Sequence, residues 1–382
     1  MKLAVLGSTG SIGLQALEEI RRFPERFEVV ALAAGRNVEA LAQQAQEFGV
    51  RELCVAEKED AEKLQKLLPK ARVRWGPDGL AELAALPEVE LVLNAVVGAV
   101  GIFPTLSALN AGKRLALANK ESLVVGGELV MAARRFSDQI IPVDSEHAAL
   151  WQLFSGVRRE EVERLWITAS GGPFRERDPA ELSQVTPAEA LRHPTWKMGP
   201  RITVDSATLV NKAFEVIEAH HLFQIAWEKI GVVLHPESLV HALVELRDGS
   251  ILAQLAAADM RLPIRAALTY PERLPPKIPL RLVPLTLNFR ELSRERYPAF
   301  WTVLEAGREG GTAPAVANAA DEVLVQAFLE RKIPFTAIAE GIAHVLSQHE
   351  KRPAENLGAI LWADSWARQE AWRFVARYPQ LG

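Results

Sequence analysis

Cysteine is nearly absent: Cys54 is the single one among 382 residues. One thiol forms no intramolecular disulfide and builds no thiolate metal centre, so a metal here must be held by oxygen or imidazole ligands, which points to a hard cation. Blocks of lysine and arginine are missing as well. The net charge is −4, and nothing in the composition argues for DNA or RNA as a partner. Long apolar runs are also lacking. The longest, Leu91 to Phe103, is interrupted by Asn94 and falls far short of the ~20 residues that a membrane span needs. No signal-peptide apolar core follows Met1-Lys2-Leu3, so a cytoplasmic, soluble protein with no membrane partner is expected. Internal repeats and low-complexity tracts are not found.

What the chain does have is an ordinary globular composition, 49% hydrophobic and 24% charged, which excludes disorder, collagen-like repeats and a coiled-coil rod. At 42.1 kDa it exceeds the size at which one core keeps growing, so two or three domains are expected. Lys2 to Leu6 reads as a strand, Gly7 to Gly13 as a glycine-rich turn, and Leu14 to Arg22 as a helix. Phe27–Ala33, Glu52–Ala56, Leu91–Val97 and Arg114–Ala118 continue as strands, with helices at Val38–Phe48 and Thr105–Ala111. This alternation predicts right-handed crossovers and an α/β, Rossmann-like doubly wound parallel sheet over residues 1–141. A central α+β domain is expected over 142–270, with strands at Ile140–Val143 and Arg164–Ala169, a helix at Ala207–Leu222, and a strand pair at Gly231–Val244 and Ser250–Leu255. Five prolines between 271 and 284 mark a linker, placed at 271–297. A C-terminal helical bundle follows over 298–382. Within it, Trp362 and Trp366 lie four apart and read as a core stripe.

Several residue sets carry chemistry. Glycines at 7, 10 and 13 sit between a strand and a helix, where they let the backbone approach a pyrophosphate at the helix N-terminus. A tight turn with no ligand is the alternative. The second strand ends in Ala34-Gly35-Arg36-Asn37 rather than in an acidic residue. Arg36 suits a 2′-phosphate, which favours NADP over NAD, although an arginine simply solvated in the loop also fits. Asp144 and Glu146, two apart after a strand, would share one face if extended. Asn211, Lys212 and Glu215 share one face of a helix. Together these carboxylates form an oxygen-rich set suited to Mg2+ or Mn2+, though either half is also an ordinary solvated face. Ser170, His193, Ser206, Asn211 and Lys212 suit a phosphate ester. Trp196 fits a lid over a small substrate or an aromatic packed on the neighbouring domain. Lys120 follows the strand that ends at Ala118 and lies at the carboxyl edge of the sheet. His147, His235 and His241 read as packing residues.

The motifs in their order resemble the 1-deoxy-D-xylulose 5-phosphate reductoisomerase family. They are Gly-Ser-Thr-Gly-Ser-Ile-Gly at 7–13, Ala-Gly-Arg-Asn at 34–37, Leu-Ala-Asn-Lys-Glu-Ser-Leu-Val at 117–124 and Pro-Val-Asp-Ser-Glu-His at 142–147. Thr-Ala-Ser-Gly-Gly-Pro-Phe at 168–174, His-Pro-Thr-Trp-Lys-Met-Gly at 193–199 and Asn-Lys-Ala-Phe-Glu-Val-Ile-Glu-Ala at 211–219 complete the set. The likeness runs from the first strand to about Pro263, and more loosely beyond. It implies a V-shaped homodimer that converts 1-deoxy-D-xylulose 5-phosphate, with NADPH and a divalent ion (Mg2+ or Mn2+, with Co2+ as an alternative), to 2-C-methyl-D-erythritol 4-phosphate. By the same resemblance Asp144, Glu146 and Glu215 hold the metal, and these with Lys120 are the catalytic set. Lys120, Ser145, Glu146 and Glu215 contact substrate, while Ser170, His193, Ser206, Asn211 and Lys212 hold its phosphate. Thr9, Gly10, Ser11, Ile12, Gly35, Arg36, Asn37, Asn119, Glu121 and Gly199 line the cofactor. Trp196 and Met198 belong to a flap at 192–200. Competing readings are an NADP-dependent semialdehyde or homoserine-type dehydrogenase and a non-catalytic NADP sensor.

Overall fold

Leu3, Ala4, Val5 and Leu6 of the first strand are all fully buried, as expected of a strand covered on both faces in a parallel sheet. The computed structural model describes residues 1–196 and 198–378. Its first sheet is built from β1 (Lys2–Leu6), β2 (Glu28–Ala33), β3 (Glu52–Val55), β4 (Arg72–Trp75), β5 (Leu91–Asn94), β6 (Arg114–Leu117) and β7 (Ile140–Pro142). Helices α1 (Ser11–Arg22), α2 (Val38–Phe48), α3 (Lys58–Leu67), α4 (Gly76–Ala84), α5 (Ile102–Asn110) and α6 (Glu121–Ala133) connect them, and α7 (Ser145–Phe154) follows. The strand order is β4-β3-β2-β1-β5-β6-β7, with every pairing parallel. The order reverses between β1 and β5, and ligands of doubly wound sheets bind at the carboxyl ends of strands beside such a switch point.

The remaining elements are β8 (Val162–Ala169), α8 (Pro187–Ala190), α9 (Pro200–Thr208), α10 (Val210–Phe223), β9 (Ile230–Leu234), β10 (Val240–Leu246), β11 (Ile251–Leu255) and α11 (Arg261–Thr269). Four helices close the described chain: α12 (Pro298–Glu309), α13 (Ala313–Leu329), α14 (Thr336–Gln348) and α15 (Leu357–Val375). The second sheet has the order β11-β10-β8-β9, with β8 and β9 parallel and β10 antiparallel to both β8 and β11. None of the described helices is long and apolar enough to cross a membrane.

Several sequence expectations are corrected. The helix expected at Ala207–Leu222 is two helices, because Leu209 takes φ 59° between them. The expected strand Gly231–Val244 is two strands around a turn in which Ser238 takes φ 53°. Trp362 is not in a core stripe: it is 42% exposed, with the Arg352 guanidinium 3.9 Å above its ring. The buried residues of α15 are Ile360, Ala363, Ala367, Ala371, Phe374 and Val375, and the three alanines admit close packing on α13.

Compact units do not follow the expected cuts at 141 and 270. One comprises 1–122, 128–151 and 259–278; the other comprises 123–127, 152–258 and 279 onward. The strand at Ile140 belongs to the parallel sheet, and α11 returns to the first unit, where Ile264, Ala267 and Leu268 share a core with Leu17 and Ile20. A buried ion pair fixes that return. Arg265 Nε lies 2.6 Å from Glu19 Oε2 on α1, at 6% and 1% side-chain exposure. Arg265 also donates to the carbonyls of Leu274 (3.2 Å) and Pro276 (2.6 Å). Breaking one partner of such a pair strands the other charge at a cost of about 3 kcal/mol or more. Arg265→Met is therefore expected to lower the urea midpoint of the first unit, and adding Glu19→Met should recover most of the loss. An unchanged midpoint in Arg265→Met would show that apolar packing alone holds α11.

Candidate active site

The carboxyl edge of the parallel sheet gathers the first half of the chemistry-bearing residues. After β1, Gly7 takes φ +83°, and a Cβ there would lie 2.3 Å from the Ala95 carbonyl oxygen. At Gly13 a Cβ would lie 2.2 Å from the Gly7 oxygen, so that glycine lets α1 close onto its own loop. Gly10 precedes α1 with no side-chain cap, which leaves the first-turn N–H groups to a ligand, with Gly10 and Ser11 exposed and Thr9 and Ile12 half-buried. A helix N-terminus of this kind favours an anion. Past β2, Gly35, Arg36 and Asn37 are exposed. Asn37 Oδ1 accepts the Ala40 N–H at 3.1 Å, so its side chain caps α2 and leaves Arg36 as the charged group facing solvent.

After β6, Asn119 is buried at 2% exposure. Its amide donates to the carbonyls of Val96 (2.8 Å) and Gly98 (2.9 Å), and Glu121 accepts the Gly98 N–H at 3.2 Å. These two expected cofactor residues therefore brace the loop that follows β5. Beyond β7, Asp144 and Glu146 do not share an extended face. The strand stops at Pro142, and Glu146 lies in the first turn of α7; the premise of extended geometry is corrected. Lys120 Nζ is 2.6 Å from Asp144 Oδ2, with both side chains largely buried. The Ser145 hydroxyl donates to Glu146 Oε2 at 2.7 Å.

The second unit holds the other half. Beyond β8, Gly171 and Gly172 take φ +83° and +70°, and a Cβ on Gly172 would lie 2.6 Å from the Ser206 carbonyl oxygen. That close approach sets Ser170 near α9. His193 Nε2 lies 3.0 Å from Ser170 Oγ and 3.1 Å from Ser206 Oγ. The ring's Nδ1 accepts the N–H groups of Thr195 (3.1 Å) and Trp196 (2.9 Å). With Nδ1 an acceptor, the proton of the neutral ring is on Nε2. Burial, reinforced by the charges of Arg175 and Lys212, pushes the His193 pKa down to about 4.

On α10 the helical spacing acts as expected. Asn211 Nδ2 donates to Glu215 Oε1 at 2.6 Å, and Lys212 Nζ donates to Glu215 Oε2. Lys212 and Glu215 are 4% and 1% exposed. Trp196 lies 6.2 Å from the His241 ring, while Met198 is half-buried and Gly199 is exposed ahead of α9. Lys197, inside the expected flap, lies outside the described residues. Two residues that the sequence did not single out hold the Ser170–Gly172 turn. Arg175 Nη1 donates to the Ser170 carbonyl at 3.2 Å, and the Tyr297 hydroxyl donates to that of Gly171 at 2.9 Å. Arg175 could have been found from its place right after Phe174, whereas Tyr297 is too distant in sequence to leave any local signal.

Chemically, Asp144 and Glu146 in the first unit and Glu215 in the second each offer oxygen donors, the kind a hard divalent cation takes. The Ser170, His193, Ser206, Asn211 and Lys212 set offers hydrogen-bond donors suited to an oxyanion.

Comparison with known proteins shows the family of the chain. A family model described as 1-deoxy-D-xylulose 5-phosphate reductoisomerase matches residues 3–127. Models of that family's C-terminal domains match 140–223 and 255–370. A reductoisomerase of that name from Moorella thermoacetica is 52% identical over 376 residues, covering 97% of both chains. One from Chlorobium chlorochromatii is 50% identical over 378 residues, covering 98% of this chain and 99% of its own. Among solved structures, a DOX-P reductoisomerase in complex with NADPH, fosmidomycin and magnesium superposes with a TM-score of 0.91 at 37% identity, covering 98% of each chain. The Zymomonas mobilis enzyme in complex with NADPH gives 0.89 at 40% identity, again over 98% of each.

Since the folded His193 ring resists protonation, the unfolded chain takes up that proton first on acidification. Its contribution to stability is complete above about pH 6.5 and is lost as pH falls towards about 4. Ring-nitrogen NMR should therefore show a neutral His193 from pH 8 down to pH 5, and His193→Gln should flatten the acid limb of the stability profile. A ring that titrates near pH 6.5 would remove this assignment.

Proposed function

The chain belongs to the 1-deoxy-D-xylulose 5-phosphate reductoisomerase family, and on that premise we propose that it isomerises 1-deoxy-D-xylulose 5-phosphate and reduces the product with NADPH to 2-C-methyl-D-erythritol 4-phosphate. The reaction would serve non-mevalonate isoprenoid precursor synthesis in the cytoplasm, carried out by a homodimer. The observation that carries this reading is that a metal-type carboxylate sits against a largely buried lysine in each unit, Asp144 with Lys120 and Glu215 with Lys212.

Asp144, Glu146 and Glu215 would hold Mg2+ or Mn2+, with Co2+ as an alternative. The Gly7–Gly13 loop, Gly35, Arg36, Asn37, Asn119, Glu121 and Gly199 would line NADPH. When bound, the ion supplies Lewis-acid polarisation of keto and hydroxyl oxygens and the nicotinamide supplies hydride. Everything else falls to the chain. Lys120 and Ser145 orient the substrate hydroxyls, and Glu146 and Glu215 fix the reacting carbons through the oxygens they face. Ser170, Ser206, Asn211 and Lys212 grip the phosphate together with the Nε2–H of a neutral His193. That remote grip contributes binding energy which orients the reacting carbons. Trp196 and Met198 exclude water from the reacting carbonyl.

An aldehyde dehydrogenase using a cysteine nucleophile is disfavoured, because Cys54 is fully buried and burial pushes its thiol up to about 12. The test is Mn2+-dependent NADPH oxidation with 1-deoxy-D-xylulose 5-phosphate. No turnover by metal-replete protein would sink the reading. Glu215→Gln should abolish turnover while leaving NADPH affinity nearly unchanged, and equal loss of both would contradict the metal role. Arg36→Ala should weaken NADPH by about tenfold or more relative to NADH, the size of a lost charge-assisted hydrogen bond. An unchanged preference would remove Arg36 from the cofactor.

A further inference from the structure

Helix α9 carries Ser206 and is only nine residues long, yet both of its ends are held in unfavourable arrangements. At its C-terminal end Leu209, a branched residue at 2% exposure, takes φ 59°, which costs about 1 kcal/mol or more for a residue with a Cβ. At its N-terminal end Arg201 occupies the first turn, where no acidic residue is present. A cation there opposes the helix dipole. Its i,i+4 neighbour Asp205, 3.5 Å from Arg201 Nε, is in the weaker order, with the cation N-terminal to the acid. Arg201 is therefore not placed to stabilise its own helix.

Its guanidinium reaches instead to α13. Nη1 donates to Glu322 Oε1 at 2.8 Å, and Nη2 donates to Asn318 Oδ1 at 2.9 Å and Asp321 Oδ2 at 3.3 Å. Asn318 and Asp321 are fully buried. Burial raises the Asp321 carboxyl to about 6, against the pull of Arg201. Glu322 is in turn bound by Arg368 of α15 at 2.5 Å. Networks of buried charge add little net stability over apolar packing, and their best-attested role is to fix one register among alternatives. The register fixed here is that of α9 on α13. One residue beyond Asp205, Ser206 presents the hydroxyl that lies 3.1 Å from His193 Nε2.

We propose that Arg201 is a positioning residue of the phosphate subsite: its fork onto Asn318, Asp321 and Glu322 sets the height and rotation of α9, and so the placing of Ser206 against His193. This rests on the reading of Ser170, His193 and Ser206 as phosphate donors.

The test compares Arg201→Met and Arg201→Lys with wild type on 1-deoxy-D-xylulose 5-phosphate and on unphosphorylated 1-deoxy-D-xylulose. Arg201→Met should raise KM for the phosphorylated substrate about tenfold, the equivalent of one misplaced hydrogen bond to a charged group, with kcat changing far less. It should leave kcat/KM for the unphosphorylated sugar unchanged. Arg201→Lys, which keeps the charge without the fork, should fall between, and stands in if the methionine variant does not fold. Combined with Ser206→Ala, Arg201→Met should add little further loss. Equal losses on both sugars, or additivity with Ser206→Ala, would overturn the proposal in favour of a purely structural role. A separate readout needs no turnover: titration with inorganic phosphate, followed on the His193 ring nitrogens, should saturate about tenfold later in Arg201→Met, and an identical curve would overturn the proposal. A wild type that binds phosphate but fails to turn over the sugar phosphate would instead sink the functional reading.

Discussion

Parallel pairing delivers the carboxyl ends of all seven strands of the first sheet to one edge, and the cofactor-side features depend on that constraint. The glycine turn after β1, the Arg36 turn after β2, the Asn119 brace after β6 and the Asp144 turn after β7 are distant in sequence. They share an edge because a parallel strand pair cannot be closed by a hairpin and must return through a crossover. The order of strands reverses beside β1, the place where doubly wound sheets bind ligands, and α1 begins directly after that strand. Packing behind the edge is equally constrained: Glu19, on the same helix that carries the amides, is fixed from the other side by Arg265.

A second constraint is the cost of burying charge. Glu215 at 1% exposure and Lys212 at 4% would each be expensive alone and are tolerable as a pair. The Asp144–Lys120 contact repeats the solution in the first unit. A lysine held against each carboxylate offsets its charge within its own unit. In the proposed reaction these carboxylates would hold the divalent ion, so the same two pairs would serve both the folded protein and the chemistry.

The doubly wound sheet was legible because its signals are local. Helix α2 spans the expected Val38–Phe48, and its ends are set locally: Asn37 caps it and Gly49 ends it in the left-handed conformation. The spacing of Asn211, Lys212 and Glu215 was also legible, because 3.6-residue periodicity fixes a face wherever the helix is continuous. What was illegible depends on distant contacts. No glycine or proline announces the break at Leu209, which takes the left-handed conformation with its side chain buried. The return of α11 to the first unit depends on a partner, Glu19, that is 246 residues away. Misreading Asp144 and Glu146 as extended followed from extending a strand that stops at Pro142, after which the helix begins at Ser145.

The hydrogen-bond inventory of the Ser170–His193–Ser206 cluster limits what it can recognise. Two backbone amides already occupy His193 Nδ1, so the ring has no acceptor left and offers only its Nε2–H. Lys212 donates only, and the serine hydroxyls can turn their protons outward. A neutral ring and an ammonium that can only donate pair best with an oxyanion that carries no proton. Selection against the wrong group is strongest where buried polar atoms would be left unpaired. The low pKa of His193 is part of the same design, because a ring that stayed neutral only above pH 6.5 would change its donors over the range in which a phosphate monoester loses its second proton. Held well below that range, the ring keeps one tautomer, so for the proposed phosphate ligand affinity would follow the charge of the ligand and not the state of the ring.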